Sequence, residues 1–300
     1  METLEALGHQ IEAVEDLQSV VKTMKGLAAV NIRQYEQAVA ALRHYNRSLK
    51  LGLQILLKTV PEAVGLLSAE SPGREAVVVL GSDQGMCGQF NSRIAAHAVD
   101  QLSDHAGADA HADTKHRPLV MAVGIRAAAE METSALGVDE ALSLPGSVAE
   151  ITRSVQELVL RVQRWRSEAG VHRVRLFHHR PTGGASYEAH TLHLVPFAQP
   201  WLDKLRQEPW PTRMLPMFTM DWRALMAALI RQYLFAALYR GLAESLAAEN
   251  AARLASMQAA EKNVEERLDD LTGRYHRRRQ NAITEELLDV TAGFEVLSGQ

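Results

Sequence analysis

All ten prolines of this 300-residue chain lie between Pro61 and Pro216, leaving a long proline-free stretch at each end. Proline removes a backbone donor and clashes with the preceding turn, so an unbroken helix of many turns is possible only in these two stretches. In both, apolar side chains recur three or four residues apart. The first stripe runs from Leu4, Leu7, Ile11 and Val14 through Val21, Ala28 and Tyr35 to Leu53 and Leu56. The second runs from Leu225 and Leu229 through Ala236, Met257, Val264 and Leu271 to Phe294 and Leu297. Each is one face of a helix. At about 1.5 Å per residue the helices reach about 90 Å and about 115 Å, longer than an ordinary small core covers. They are therefore expected to cover each other as an antiparallel coiled coil. Gln232, Asn250 and Arg253 interrupt the second seam and are expected to fix its register at some cost in stability. Gly8, Gly26 and Gly52 each cost about 1 kcal/mol relative to alanine and mark points where the first helix can bend or break.

Between the two stretches the period changes. Ala76–Leu80 and Leu119–Val123 read as buried strands, Val174–His178 and Leu192–Val195 as half-buried ones. Amphipathic helical segments, Asn91–Leu102 and Val148–Arg166, separate them, which predicts βαβ-type units in an open, Rossmann-like sheet with helical cover. The fold class is thus α/β with a long antiparallel coiled coil. Three parts are expected: an N-terminal helix over 1–66, an α/β middle domain over 67–216 and a C-terminal helix over 217–300. The His105–His116 segment reads as an exposed loop, and Pro196–Pro216 as the connection back into the coiled coil.

Composition removes several classes of function. A formal net charge of −4 does not supply the basic surface of a general nucleic-acid binder. The one cysteine, Cys87, rules out an internal disulfide framework. The acidic, amphipathic N-terminus matches neither a secretory signal nor a transit peptide, and no apolar run approaches a membrane span, so direct membrane insertion is not expected.

The segment Gly81–Asn91 follows a predicted strand and precedes a predicted helix, where nucleotide folds cradle phosphate. It lacks the Gly-Lys-Ser/Thr ending of a phosphate loop and the glycine spacing of a dinucleotide fingerprint. Asp83, Gly85, Cys87 and Gly88 are therefore read as a structural turn, with Asp83 as a cap or turn former. No base is placed by sequence near Cys87 to make it a nucleophile. His178, His179, His190 and His193 read as exposed or satisfied histidines around strands rather than metal ligands. No metal or cofactor is expected. Arg274 and His276–Arg279 place cations nearly all round one helix, which suits acidic partners on several sides.

Four segments, one near the N-terminus, one in the middle and two near the C-terminus, resemble the gamma subunit of rotary F-type ATP synthases. Thr23-Met24-Lys25-Gly26-Leu27-Ala28-Ala29 is similar to that family's N-terminal helix motif, shortened by one residue. Ser82-Asp83-Gln84-Gly85-Met86-Cys87-Gly88-Gln89-Phe90-Asn91 is similar to its Ser-Asp-Arg-Gly-Leu-Cys-Gly-Gly-Phe-Asn turn. Glu249–Leu254 and Arg279–Leu287 resemble its Glu-x-x-Ala-Arg-Met and Arg-Gln-x-x-Ile-Thr-x-Glu-Leu signatures. The departures are Gln84 for Arg, His276 for Asn, Ala248 for Ser and Glu261 for Thr. The resemblance implies a non-catalytic shaft within a ring of alpha and beta subunits, based on an epsilon-type subunit and a membrane c-ring. That complex sits on the cytoplasmic face of the bacterial inner membrane and is driven by protons or sodium. Carried over as contacts to beta are Arg279, Gln280, Thr284 and Glu286, with Met24 and Lys25 on the facing helix near the same level. Two other readings compete: an α/β enzyme binding nucleotide at Gly81–Asn91, and a stand-alone coiled-coil scaffold.

Overall fold

The computed structural model describes residues 3–68, 73–103, 117–134, 137–183 and 186–298; the His105–His116 reading lies outside them. Helix α1 spans Leu4–Thr59 and helix α7 spans Trp222–Ser298, 56 and 77 residues respectively. Neither is broken, and the glycines at 8, 26 and 52 are carried inside α1. A buried stripe repeated over many turns outweighs a few local propensity costs. Pro61 follows the end of α1, and the short α2 (Glu62–Ser68) continues the chain. At the start of α7, Asp221 caps the helix by accepting from the Arg223 and Ala224 amides at 3.1 Å each.

The chain divides into two compact units, Met1–Ala28 with Leu254–Gln300, and Ala29–Arg253. In the first, Leu7, Val21 and Ala28 on α1 and Met257, Val264 and Leu271 on α7 are buried. Steps of seven residues are the coiled-coil period. Lys25 Nζ donates to Glu261 Oε2 across this pair at 2.5 Å. In the second unit, Asn31 Nδ2 donates to Asn250 Oδ1 at 3.3 Å and Tyr45 Oη to Gln232 Oε1 at 2.5 Å. Partners ascending α1 meet partners descending α7, which makes the helices antiparallel. Two of the polar seam residues, Gln232 and Asn250, thus bridge the helices as expected.

The second unit holds one five-stranded sheet in the order β3-β2-β1-β4-β5. Its strands are β1 (Arg74–Leu80), β2 (Leu119–Val123), β3 (Glu140–Leu142), β4 (Val171–Gly183) and β5 (Ser186–Val195). β1 pairs parallel with both β2 and β4, and β2 with β3, while β4 and β5 form an antiparallel hairpin. β1 is apolar from Ala76 to Leu80 because both its faces are covered. Ala76, Val78 and Leu80 join a core with α5 (Val148–Glu168) and α7 through Ile151, Val155, Leu238 and Leu242. Val77 and Val79 face the other way, against Ile94 and Ala98 of α3 (Phe90–Ser103) and Met131 of α4 (Ile125–Glu132). A third cluster joins the end of α1, α2, α6 (Gln199–Gln207) and the start of α7.

The hairpin is longer than its apolar segments predict, and β3, α4 and α6 add to the expected elements. The structured α6 lies within the Pro196–Pro216 connection, with Pro200 in its first turn, where a missing amide proton costs nothing. All ten residues from Gly241 to Asn250 are buried, so this part of α7 is enclosed on every side.

Candidate functional site

The strand-to-helix turn after β1 lies where β2 and β4 flank β1 on opposite sides, the crevice in which open parallel sheets bind ligands. Here the crevice is filled by the chain itself. Cys87 and Phe90 pack against Ala248 and Ala252 of α7, with Tyr187 of β5 alongside. The His179 ring lies 4.3 Å from that of Phe90 and 4.8 Å from that of Tyr187. His179 Nε2 is hydrogen-bonded to the Phe90 carbonyl at 2.8 Å, and burial lowers its pKa to about 4, so the ring is neutral at neutral pH.

The turn is tied internally. Asn91 Oδ1 accepts from the Ser82 amide at 2.8 Å, and Asn91 Nδ2 donates to Ser82 Oγ at 2.8 Å. The chain passes close to α4 at Gly81, where a Cβ would stand 2.2 Å from Ala127 Cβ and 2.6 Å from Asn91 Oδ1. Gly88 holds a φ of 59°, open to glycine at little cost, and Met86 holds the same value without that freedom. Asp83 accepts from the Ile125 amide at 2.8 Å and the Leu144 amide at 2.9 Å. It thus caps α4 from forty residues away. Burial pushes the Cys87 thiol up, the opposite of what a nucleophile needs.

From α7, Arg253 Nη2 donates to Glu249 Oε1 at 2.6 Å and to the Gly85 carbonyl at 3.4 Å. Both side chains are buried, and burial raises the Glu249 pKa despite Arg253 beside it. Arg253 thus leaves the seam expected for it and reaches the turn. Nearby, Glu244 Oε2 and Oε1 take up His178 Nε2 at 3.1 Å and Arg240 Nε at 2.7 Å. The four segment residues Asp83, Gly85, Cys87 and Gly88 therefore lie together in a turn clamped to a helix.

The candidate contact residues Met24, Lys25, Arg279, Gln280, Thr284 and Glu286 all lie in the other unit. Lys25 stands level with Glu261, not with Arg279, which is 18 residues or about 27 Å farther along α7. The expectation that these two levels coincide is corrected by the antiparallel register. Leu4 begins α1 about 21 residues before Lys25, so it is level with about residue 282, and α7 continues beyond it. Arg279, Gln280, Thr284 and Glu286 lie around this point and are exposed. Past it, Ile283, Leu287, Leu288 and Val290 are also exposed, by 47% to 67%. Sequence reading assigned Glu261 no role. An acidic residue one coiled-coil layer from a lysine on the other helix was the available signal, but it needs the register to be known.

A family model described as ATP synthase matches residues 3–297. The chain is similar to the ATP synthase gamma chain of Pelotomaculum thermopropionicum, 26% identical over 316 aligned positions that cover 99% of this chain and 100% of the relative. It is 29% identical to the ATP synthase gamma chain of Chlorobaculum tepidum over 306 positions, 99% of each chain. Its fold resembles a chain in the cryo-EM structure of the Euglena gracilis mitochondrial ATP synthase OSCP/F1/c-ring in rotational state 3, with a TM-score of 0.61 and 16% identity, covering 98% of this chain and 94% of that one. A family match over residues 3–297, with curated gamma chains aligned along nearly the whole length, leads to one conclusion: the chain belongs to the ATP synthase gamma-chain family.

Proposed function

We propose that the chain is the rotating central stalk of an F-type ATP synthase, carrying torque between an ion-driven c-ring and catalytic alpha and beta subunits, with an epsilon-type subunit at its base. As a gamma-type chain it is a non-catalytic stalk subunit. The reading rests above all on the end of α7, where large apolar side chains stay exposed on a helix that has outrun its partner. Such a surface is stable in water only at a cost, and an enclosing partner removes it. Arg279, Gln280, Thr284 and Glu286 stand where that partner begins and are assigned to contact beta, with Met24 and Lys25 acting at a separate level. The terminal segments 1–66 and 217–300 form the shaft, and 67–216 form the foot.

Torque follows from asymmetry. Three identical catalytic partners around an unsymmetrical rod each meet a different face, so each is biased to a different conformation and nucleotide affinity. We place the complex on the cytoplasmic face of a bacterial inner membrane, driven by protons or sodium. No helix among the described residues is long and apolar enough to cross a membrane, so attachment runs through the other subunits.

The test is single-molecule rotation of a reconstituted alpha–beta ring carrying this chain. Arg279→Ala with Gln280→Ala is expected to weaken assembly or ATP-driven rotation while the isolated chain stays folded. Rotation at unchanged speed and torque would remove these side chains from the path.

A further inference from the structure

A groove of 520 Å³ in the unit Ala29–Arg253 is bordered by three arginines from three elements: Arg43 of α1, Arg180 of β4 and Arg240 of α7. All three are exposed. Arg240 is held by Glu244, whose second oxygen is already taken by His178. Arg43 and Arg180 have no ion-pair partner among the described residues. Arg180 stands opposite Glu188 in the β4–β5 ladder, yet the two side chains do not reach ion-pair distance. Glu36, two helical turns before Arg43 on the same face, and Glu244 also line the groove, and three arginines against two carboxylates leave it with a net positive lining.

Like charges brought to one groove by separate elements repel, and an anion among them relieves that repulsion. Guanidinium groups match phosphate oxygens with paired N–H donors, a geometry that a single ammonium does not supply. Asn46, also in the lining, adds an amide that can donate or accept. The volume lies within the range of small-molecule sites and exceeds what one inorganic phosphate needs. Glu36 disfavours a purely anionic occupant beside it and can accept from a hydroxyl, which fits a ligand with a phosphate group and a neutral, hydroxylated part.

We propose that this groove binds a phosphate-bearing small molecule, with Arg43 and Arg180 as its principal contacts and Arg240 shared between the ligand and Glu244. The groove borders the clamp beside the filled crevice, sharing Glu244 with it, but its arginines take no part in holding the turn after β1.

The purified full chain is titrated calorimetrically at low salt with inorganic phosphate, pyrophosphate and adenosine triphosphate in turn. Pyrophosphate is expected to saturate one site with a Kd below about 1 mM. Triphosphate binding tighter than pyrophosphate assigns a nucleoside phosphate, and equal affinity assigns a free phosphate chain. Arg43→Ala and Arg180→Ala are each expected to weaken binding roughly tenfold. Arg43→Lys, which keeps the charge but loses the fork, is expected to fall between, and Glu36→Gln to tighten binding. These side chains are exposed, and an unchanged thermal melt verifies the fold. No saturable heat with any probe at about 10 mM, or a Kd that neither arginine substitution alters, overturns the proposal.

Discussion

Lys25 and Glu261 face each other across the coiled coil with Nζ and Oε2 2.5 Å apart, in side chains 34% and 18% exposed. Glu261 stands where the related sequences named by the resemblance carry threonine, so the pair adds a charge contact to this level. Partial exposure limits what it contributes to roughly 0.2–1 kcal/mol. Glu261→Lys is expected to destabilise the chain by about that much or slightly more through repulsion, and Lys25→Glu in the same background to restore it. Denaturant melts of the two single variants and the double variant form the cycle that measures the coupling. A coupling of zero would leave register to the apolar layers alone.

Arg253 and Glu249 pose a larger stake because both are buried. Arg253→Met strands the Glu249 carboxylate and is expected to cost about 3–5 kcal/mol, while the double change with Glu249→Met recovers most of it. Burial raises the folded-state pKa of Glu249, so the folded form holds the proton more tightly and the cost of ionisation is fully present above that pKa. Removing Arg253 raises it further. The deficit of Arg253→Met relative to the parent is therefore expected to shrink as pH falls through the raised pKa of Glu249, read from chemical melts at each pH.

His179 gives a dependence of the opposite sign. Its pKa is lowered to about 4 in the folded chain, so between its ordinary value near 6.5 and 4 the unfolded chain takes up a proton that the folded chain does not. Stability is full above about 6.5 and lost as pH falls toward 4, by about 3 kcal/mol in total. His179→Phe, which keeps the ring among Phe90 and Tyr187, is expected to flatten this acid limb. A limb of unchanged slope in the variant would assign the loss to other groups.

Gly81 and Gly26 separate close packing from backbone propensity. Gly81→Ala drives a methyl into Ala127 and Asn91 and is expected to destabilise by about 1–3 kcal/mol. Gly26→Ala meets nothing within 4 Å inside α1 and is expected to stabilise by up to about 1 kcal/mol. Thermal melts of the two variants should move in opposite directions.

The two long helices were legible because an apolar stripe recurred over many turns despite a few polar interruptions, and β1 and β2 because each is a short unbroken apolar run. Element α4 was not, since its N-terminal amide is satisfied by Asp83 rather than by a neighbour, and a local capping signal was missing. β3 has three residues, Glu140, Ala141 and Leu142, too few to show alternation. The turn residues stand side by side in the sequence, but the attachment of Gly85 to Arg253 depends on a helix more than 150 residues later. The level of Lys25 was misjudged for the same reason: the sequence shows that two seams exist, whereas their stagger is a property of the packed pair.

The filled crevice after β1 changes what a sideways push on α7 does in this unit. A helix lying on a sheet can roll or slide at the expense of a few dispersion contacts. Here its side chains are bolted through the mouth of the sheet by Arg253 to the Gly85 carbonyl and by Glu244 to His178 on β4. A sideways push on the helix is therefore met by the turn after β1 and by β4 directly, and the space between them serves as a mechanical anchorage.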